Sequence, residues 1–198
     1  MAFRRVLLSG VIAACALTSS LSAQMTTAGA AGSARSGFFI SAGLGAGSAG
    51  ASCDGCSSDR STGLSGYFRV GGTVNPHVRL GFEGNGWTKS EDGIDGNLGF
   101  YSGVGYFYPS VTNNLWLKAG AGVAHFYADD GANDLTTTGL GLSAGIGYDW
   151  TPNGKFAIVP YVNYLHQVSG DANFNGTSTG VSAHSNLFQF GVGFGYRH

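Results

Sequence analysis

Charge is scarce in this chain. Asp, Glu, Lys and Arg make up 11% of its 198 residues, against about 25% in soluble domains. No cluster of basic residues suggests a nucleic-acid partner. Beyond the first 20 or so positions, no window carries the ~20 apolar residues of a membrane helix. Proline occurs only four times, and glycine, though abundant, follows no triplet period, which excludes a collagen-like helix. What is present points elsewhere. There are 35 glycines and 13% aromatic residues. A disordered glycine-rich chain would lack the aromatics.

The N-terminus reads as an export segment. Arg4 and Arg5 precede a short apolar run, Val6 to Leu17, which is too short to span a bilayer as a helix. Leu21-Ser22-Ala23 is a signal-peptidase site, so 1–23 is expected to be a signal peptide and 24–36 a flexible lead-in. The rival reading is Ile12-Ala13-Ala14-Cys15 as a lipobox, with Cys15 lipid-modified. Loss of Arg4 and Arg5 leaves eight basic and eleven acidic residues, a net charge of −3. An exported chain without long apolar helices is expected in the outer membrane.

Residues 37–198 show period-two alternation, the mark of strands whose successive side chains face opposite ways. In the last twelve residues, Phe188, Phe190, Val192, Phe194 and Tyr196 share one face, and Gln189, Gly191, Gly193, Gly195 and Arg197 the other. Seven earlier segments complete the set, at about 38–47, 62–74, 78–89, 98–108, 115–127, 138–150 and 156–167. Outward faces are assigned to Leu44, Phe68, Leu80, Phe82, Leu117, Leu140 and Ile146, among others. In the fourth segment Leu98, Phe100, Val104, Tyr106 and Tyr108 are assigned outward. Connections alternate between short (75–77, 109–114, 151–155) and long (49–61, 90–97, 128–137, 168–185). The pattern predicts an all-β fold, an eight-stranded antiparallel up-and-down transmembrane β-barrel with long external loops. Nine of the eleven acids fall in those loops. Phe38, Tyr106, Tyr108, Tyr148, Trp150, Phe156 and Tyr196 are expected to form a belt at the membrane boundary.

The inward face carries Arg69, Arg79, Glu83, Lys118, Asp149 and Arg197, expected to form a polar network in the lumen. Inward glycines (Gly43, Gly45, Gly103, Gly105, Gly120, Gly122, Gly145, Gly147, Gly191, Gly193) have two readings. They leave a cavity that Trp87, Trp116, Tyr101, Phe107 and Tyr161 only partly fill, or they ease strand curvature and seat large aromatics. Cys53-Asp54-Gly55-Cys56 in an oxidising compartment is read as a loop disulfide. Metal binding there would need two more ligands, and none lies nearby. The acidic loops have no calcium-loop spacing; divalent bridging to lipopolysaccharide phosphates is the sharper alternative to a solvated surface. His184 and Ser185 are adjacent, so on a strand they point apart, and no nucleophile–base pair results.

From the export segment to the terminal Gly193-x-x-Tyr196-x-His198, the pattern resembles the small eight-stranded outer-membrane barrels, the OmpX-like proteins and the OmpA transmembrane domain. That resemblance implies recognition of Gly193, Tyr196 and His198 by the barrel-assembly machinery. The family usually ends on Phe, whereas this chain ends on His198. The expected protein is a monomer without cofactor, metal or catalytic residues. Its expected partners are outer-membrane lipid and lipopolysaccharide. It acts structurally or through surface contacts made by its loops; the alternative is a narrow channel or carrier for small apolar solutes, as in OmpW-like relatives. A lipid-modifying enzyme is a third, weaker reading.

Overall fold

The computed structural model describes residues 35–198 except 54, 55, 58, 59, 92 and 153, with the backbone alone for Cys56 and Ser57. The expected signal peptide, Cys15 and the lead-in up to residue 34 lie outside the described residues.

Ten strands occur among them: β1 Phe38–Cys53, β2 Cys56–Ser57, β3 Ser61–Asn75, β4 Val78–Glu91, β5 Ile94–Phe107, β6 Leu115–Asp129, β7 Asp134–Tyr148, β8 Phe156–Gln167, β9 Asp171–Phe174 and β10 Thr177–Arg197. Eight of these, β1, β3 to β8 and β10, pair antiparallel in a ring, and β1 closes it against β10. Short β9 continues the line of β8, since it also lies between β7 and β10. β2 folds back on β1. The fold is the all-β, eight-stranded barrel that the alternation predicts.

Alternation sets the two faces. Leu44, Leu64, Phe68, Leu80, Phe82, Leu140, Leu142, Phe190, Val192 and Phe194 are exposed on the outside. Among the described residues, no charged side chain faces outward in the middle of a strand, where an Arg or Lys would cost on the order of 2–4 kcal/mol against lipid. At the turn end Phe156 contacts Phe194 and Tyr196, and Tyr196 meets Phe38. With Phe107, Tyr148 and Trp150, also exposed or partly so, these rings form an aromatic belt.

Two expectations are corrected here. In β5 the faces are reversed. Leu98, Phe100, Val104, Tyr106 and Tyr108 are at most 4% exposed and point inward, while Tyr101 and Phe107 are about half exposed. Gly103 and Gly105 therefore face outward. Both parities of this segment carry rings, so alternation alone does not choose. Register does: Ser102 stands opposite Glu83, and Tyr106 opposite both Arg79 and Lys118. Cross-strand partners share a face, and the charged partners must avoid lipid.

The second correction concerns the long loops. Most of their residues extend the strands as paired ribbons. Glu91 pairs with Ile94, and Asp129 with Asp134, so only residues 130–133 turn at the β6–β7 tip. Strands of 14 to 16 residues exceed the ~9–11 that cross a bilayer. Phe174 pairs with Thr177 around Asn175 and Gly176, both with positive φ. That is the Asn-Gly hairpin signature, present in the sequence inside the segment read as loop 168–185.

The short turns are tied together at the opposite end. Arg35 is 5% exposed although it lies in the lead-in expected to be flexible. Its Nη1 donates to the carbonyls of Pro76 (3.1 Å) and Ser110 (3.0 Å), and its Nη2 to the Asn113 carbonyl and to Asn114 Oδ1. The guanidinium lies 4.1 Å from the Tyr108 ring centroid. One side chain thus joins the β3–β4 and β5–β6 turns. Hydrogen bonds from a charged donor contribute about 1.5–3 kcal/mol. Arg35→Ala is therefore expected to lower stability by about 2 kcal/mol, read as an earlier thermal midpoint in detergent; an unchanged midpoint would show that the latch is idle.

Candidate functional site

The lumen is filled in tiers. Nearest the turns, Asp149 accepts from four donors: Arg69 Nη2 (3.1 Å) and Trp116 Nε1 (2.9 Å) on Oδ1, Arg79 Nη1 (3.3 Å) and the Tyr108 hydroxyl (2.8 Å) on Oδ2. Arg79 also reaches Thr73. The next tier centres on Glu83, which is ion-paired to Lys118. Tyr106 donates to Glu83 Oε2 (2.6 Å) and Asn85 to Oε1 (2.9 Å). Both charged side chains are 2% exposed or less. Above this, Asn163 donates to Gln189 (3.0 Å).

An apolar plug follows, built from Trp87, Leu98, Phe100, Ala124, Leu165 and Leu187. Gln167 caps it. Its Nε2 donates to Thr137 Oγ1 (2.8 Å) and its Oε1 accepts from Ser185 (2.7 Å). Where β8 gives way to β9, the same Nε2 also holds the Ser169 carbonyl (3.1 Å).

Five of the six predicted network residues thus meet in two centres. Arg197 does not join either. It sits at the rim, where Nε donates to the Gly154 carbonyl (2.7 Å) and Nη2 to Thr151 (3.4 Å). Among the neutral members, Asn163 and Gln167 went unread in the sequence, although they alternate with the outward Val162 and Tyr164; Gln189 is legible as inward but not as a member of the network.

Several of the inward glycines seat rings. A Cβ on Gly193 would stand 2.2 Å from the Tyr67 hydroxyl, and one on Gly147 2.3 Å from the Trp116 ring. Tyr67 in turn packs edge-on against Tyr161. Gly147→Ala is expected to cost about 1–3 kcal/mol through overpacking, because Trp116 cannot yield without losing Asp149. Chemical denaturation should show it, and an unaltered midpoint would mean that the indole has somewhere else to go.

Beyond the plug, the lumen opens to the long-ribbon end as a cup of about 310 Å³. Trp87 forms its floor, Phe126, Ile94 and Ala128 part of its wall, and Lys89 and Glu91 pair beside them. Outside the cup, Asp95, Asp129 and Asp134 stand in one lateral row across β5, β6 and β7. The Tyr127 hydroxyl and the Gly131 N–H hold the Asp129 carboxyl below its usual range. Among the described residues, no group of three metal-ligating side chains converges. At the closing seam Arg60, the residue immediately before β3, donates to Ser48 and to Asn186, linking β1 to β10.

Cys53 is disulfide-bonded and stands opposite Cys56 in the backbone ladder. His184 and Ser185 face opposite ways: Ser185 is buried against Gln167, and His184 is on the outer face. Of the residues expected to form the assembly signal, Gly193 is buried beside Tyr67, Tyr196 lies in the outer belt, and the His198 N–H donates to the Phe38 carbonyl.

No family model matches the chain, and no curated protein does. Solved structures do. Neisserial surface protein A aligns with a TM-score of 0.53 at 20% identity, over 82% of this chain and 98% of its own. The attachment invasion locus protein Ail of Yersinia pestis, crystallised with the heparin analogue sucrose octasulfate, aligns with a TM-score of 0.50 at 16% identity, over 79% and 99%. At such identity the likeness is one of fold. The apolar exterior, the inward charges and this likeness together give the chain the fold of the small eight-stranded outer-membrane barrels.

Proposed function

We propose that the protein is a structural and surface-contact barrel that works through its protruding ribbons, with a lumen that does not conduct. The observation that carries this is the stack of buried tiers, from Asp149 to Gln167, with every large side chain hydrogen-bonded or packed across the barrel. Eight strands leave an interior just wide enough for side chains to fill. Ribbons that continue past the membrane offer paired, rigid edges to a partner. The relative crystallised with a heparin analogue met a polyanion; in this chain the Asp95–Asp129–Asp134 row argues against that ligand class on the β5–β7 side. The rim's lipid-side partners are outer-membrane lipid and lipopolysaccharide, and Gly193, Tyr196 and His198 are offered to the assembly machinery. The opposed His184 and Ser185 support a role without catalysis.

Planar-bilayer recording is the test. No steps above the lipid baseline are expected, and reproducible single-channel steps would overturn the reading. The cup supports a second reading, a blind site for small apolar solutes. Its check is tryptophan emission on adding decanol. A saturable change that disappears in Trp87→Leu supports the cup, and no change removes it.

A further inference from the structure

The tier at Asp149 is unbalanced in charge. A small cavity of about 20 Å³ lies there, lined by Arg69, Arg79, Arg197, Asp149, Ser41 and Phe39 among others. The guanidiniums of Arg69 and Arg79 and one carboxylate meet there, while the Arg197 guanidinium is bound at the rim. Among the described residues, Asp149 is the one acid that pairs with any of them. Arginine does not discharge by losing its proton, so the excess positive charge persists on burial.

The unsatisfied donors agree with the count. Arg69 Nε and Arg79 Nη2 are buried and have no hydrogen-bond partner, although Arg69 and Arg79 are each 3% exposed. The faces of these guanidiniums are covered by rings. Arg69 lies 4.8 Å from the Trp116 centroid and 5.1 Å from Tyr106, and Arg79 lies 5.2 Å from Phe39 and 5.1 Å from Tyr108. The rings satisfy the faces but not the in-plane N–H groups. Buried polar groups without partners are rare enough to require an explanation.

We infer that this cavity is a binding site for a single halide ion, chloride in the native setting, held by Arg69 and Arg79. Three requirements converge on that class of ligand. The occupant must accept hydrogen bonds, because the orphaned groups are all donors. It must be negative, because the lining has an excess of cations. It must be small, because a space of this size holds about one water-sized sphere, which excludes sulfate, carboxylates and phosphate esters. A water satisfies the first and third requirements but leaves the charge unbalanced. The ion would complete the tier nearest the turns and hold β3 and β4 to the end of β7.

The experiment uses the full chain, purified from membranes in detergent. Thermal midpoints are compared in sodium chloride, sodium bromide and sodium gluconate at equal ionic strength. Gluconate is too large to enter. Binding to the folded state alone raises the midpoint with the logarithm of ligand concentration above Kd, so a rise of roughly 3–6 °C is expected for both halides at about ten times their Kd. Arg69→Gln and Arg79→Gln should each abolish the halide-specific increment. If either variant does not fold, crystals of the parent grown in bromide decide: an anomalous peak between the two guanidiniums supports the site. Equal midpoints in all three salts, or a bromide crystal with a water and no anomalous signal there, would overturn it.

Discussion

Replacing Asp149 with alanine is expected to be the most damaging single change in the lumen. Asp149 receives Arg69, Arg79, Tyr108 and Trp116, all from other strands or strand ends. Its loss leaves two buried guanidiniums without a carboxylate counter-charge. Breaking a buried ion pair by removing one partner costs about 3–5 kcal/mol, and here one acid serves two cations. The thermal midpoint in detergent should fall by roughly 10 °C or more, at about 2–4 °C per kcal/mol for a domain of this size. Asp149→Asn keeps an acceptor for Trp116 and Arg69 and should lie between the two. A midpoint for the alanine variant within 2 °C of the parent would show that the rings, and not the carboxylate, hold the arginines.

The second large effect concerns Glu83 and Lys118. Both are essentially inaccessible, so desolvation offsets much of their attraction. Glu83→Leu alone should cost about 3–5 kcal/mol, because Lys118 is stranded. The double variant Glu83→Leu, Lys118→Met should recover most of that, since well-packed apolar replacements of a buried pair are often neutral or stabilising. A double-mutant cycle on chemical denaturation measures the coupling. If the double variant is as unstable as the single one, the pair is wired into its surroundings through Tyr106 and Asn85, and the simple two-body account fails. Neither change should open a conducting path, since the plug around Trp87, Phe100 and Leu187 lies above both centres.

These two centres show what alternation reveals and what it hides. Arg69, Arg79, Glu83, Lys118 and Asp149 are legible as inward residues, because each sits among outward apolar neighbours at period two. Phe156–Gln167 is legible as a strand from end to end. The face of Ile94–Phe107 is not legible by the same rule, because Phe100 and Tyr106 compete with Tyr101 and Phe107. Arg197 has inward parity but is too near the rim to reach an acid. In the ribbon ends, Thr136 and Thr137 of β7 and Thr177 and Ser178 of β10 carry no apolar period, so they read as loop although they pair. Arg35 sits in a run of small residues and carries no pattern at all. Its partners, three backbone carbonyls and the Asn114 side chain, lie more than 40 positions away.

What the sequence determined by itself is the strand count, the alternating turns and the side on which charge must lie. Lipid outside and a narrow interior permit few other solutions for a chain with this period. What the tertiary structure alone decided is which inward residues meet. Arg69 and Asp149 are 80 positions apart, and Glu83 and Lys118 are 35 apart. Their contact depends on barrel closure and on the stagger between strands, which bring distant positions to one height in the lumen. Period two specifies a face but not a height, so the pairing of charges emerges only when the ring is closed.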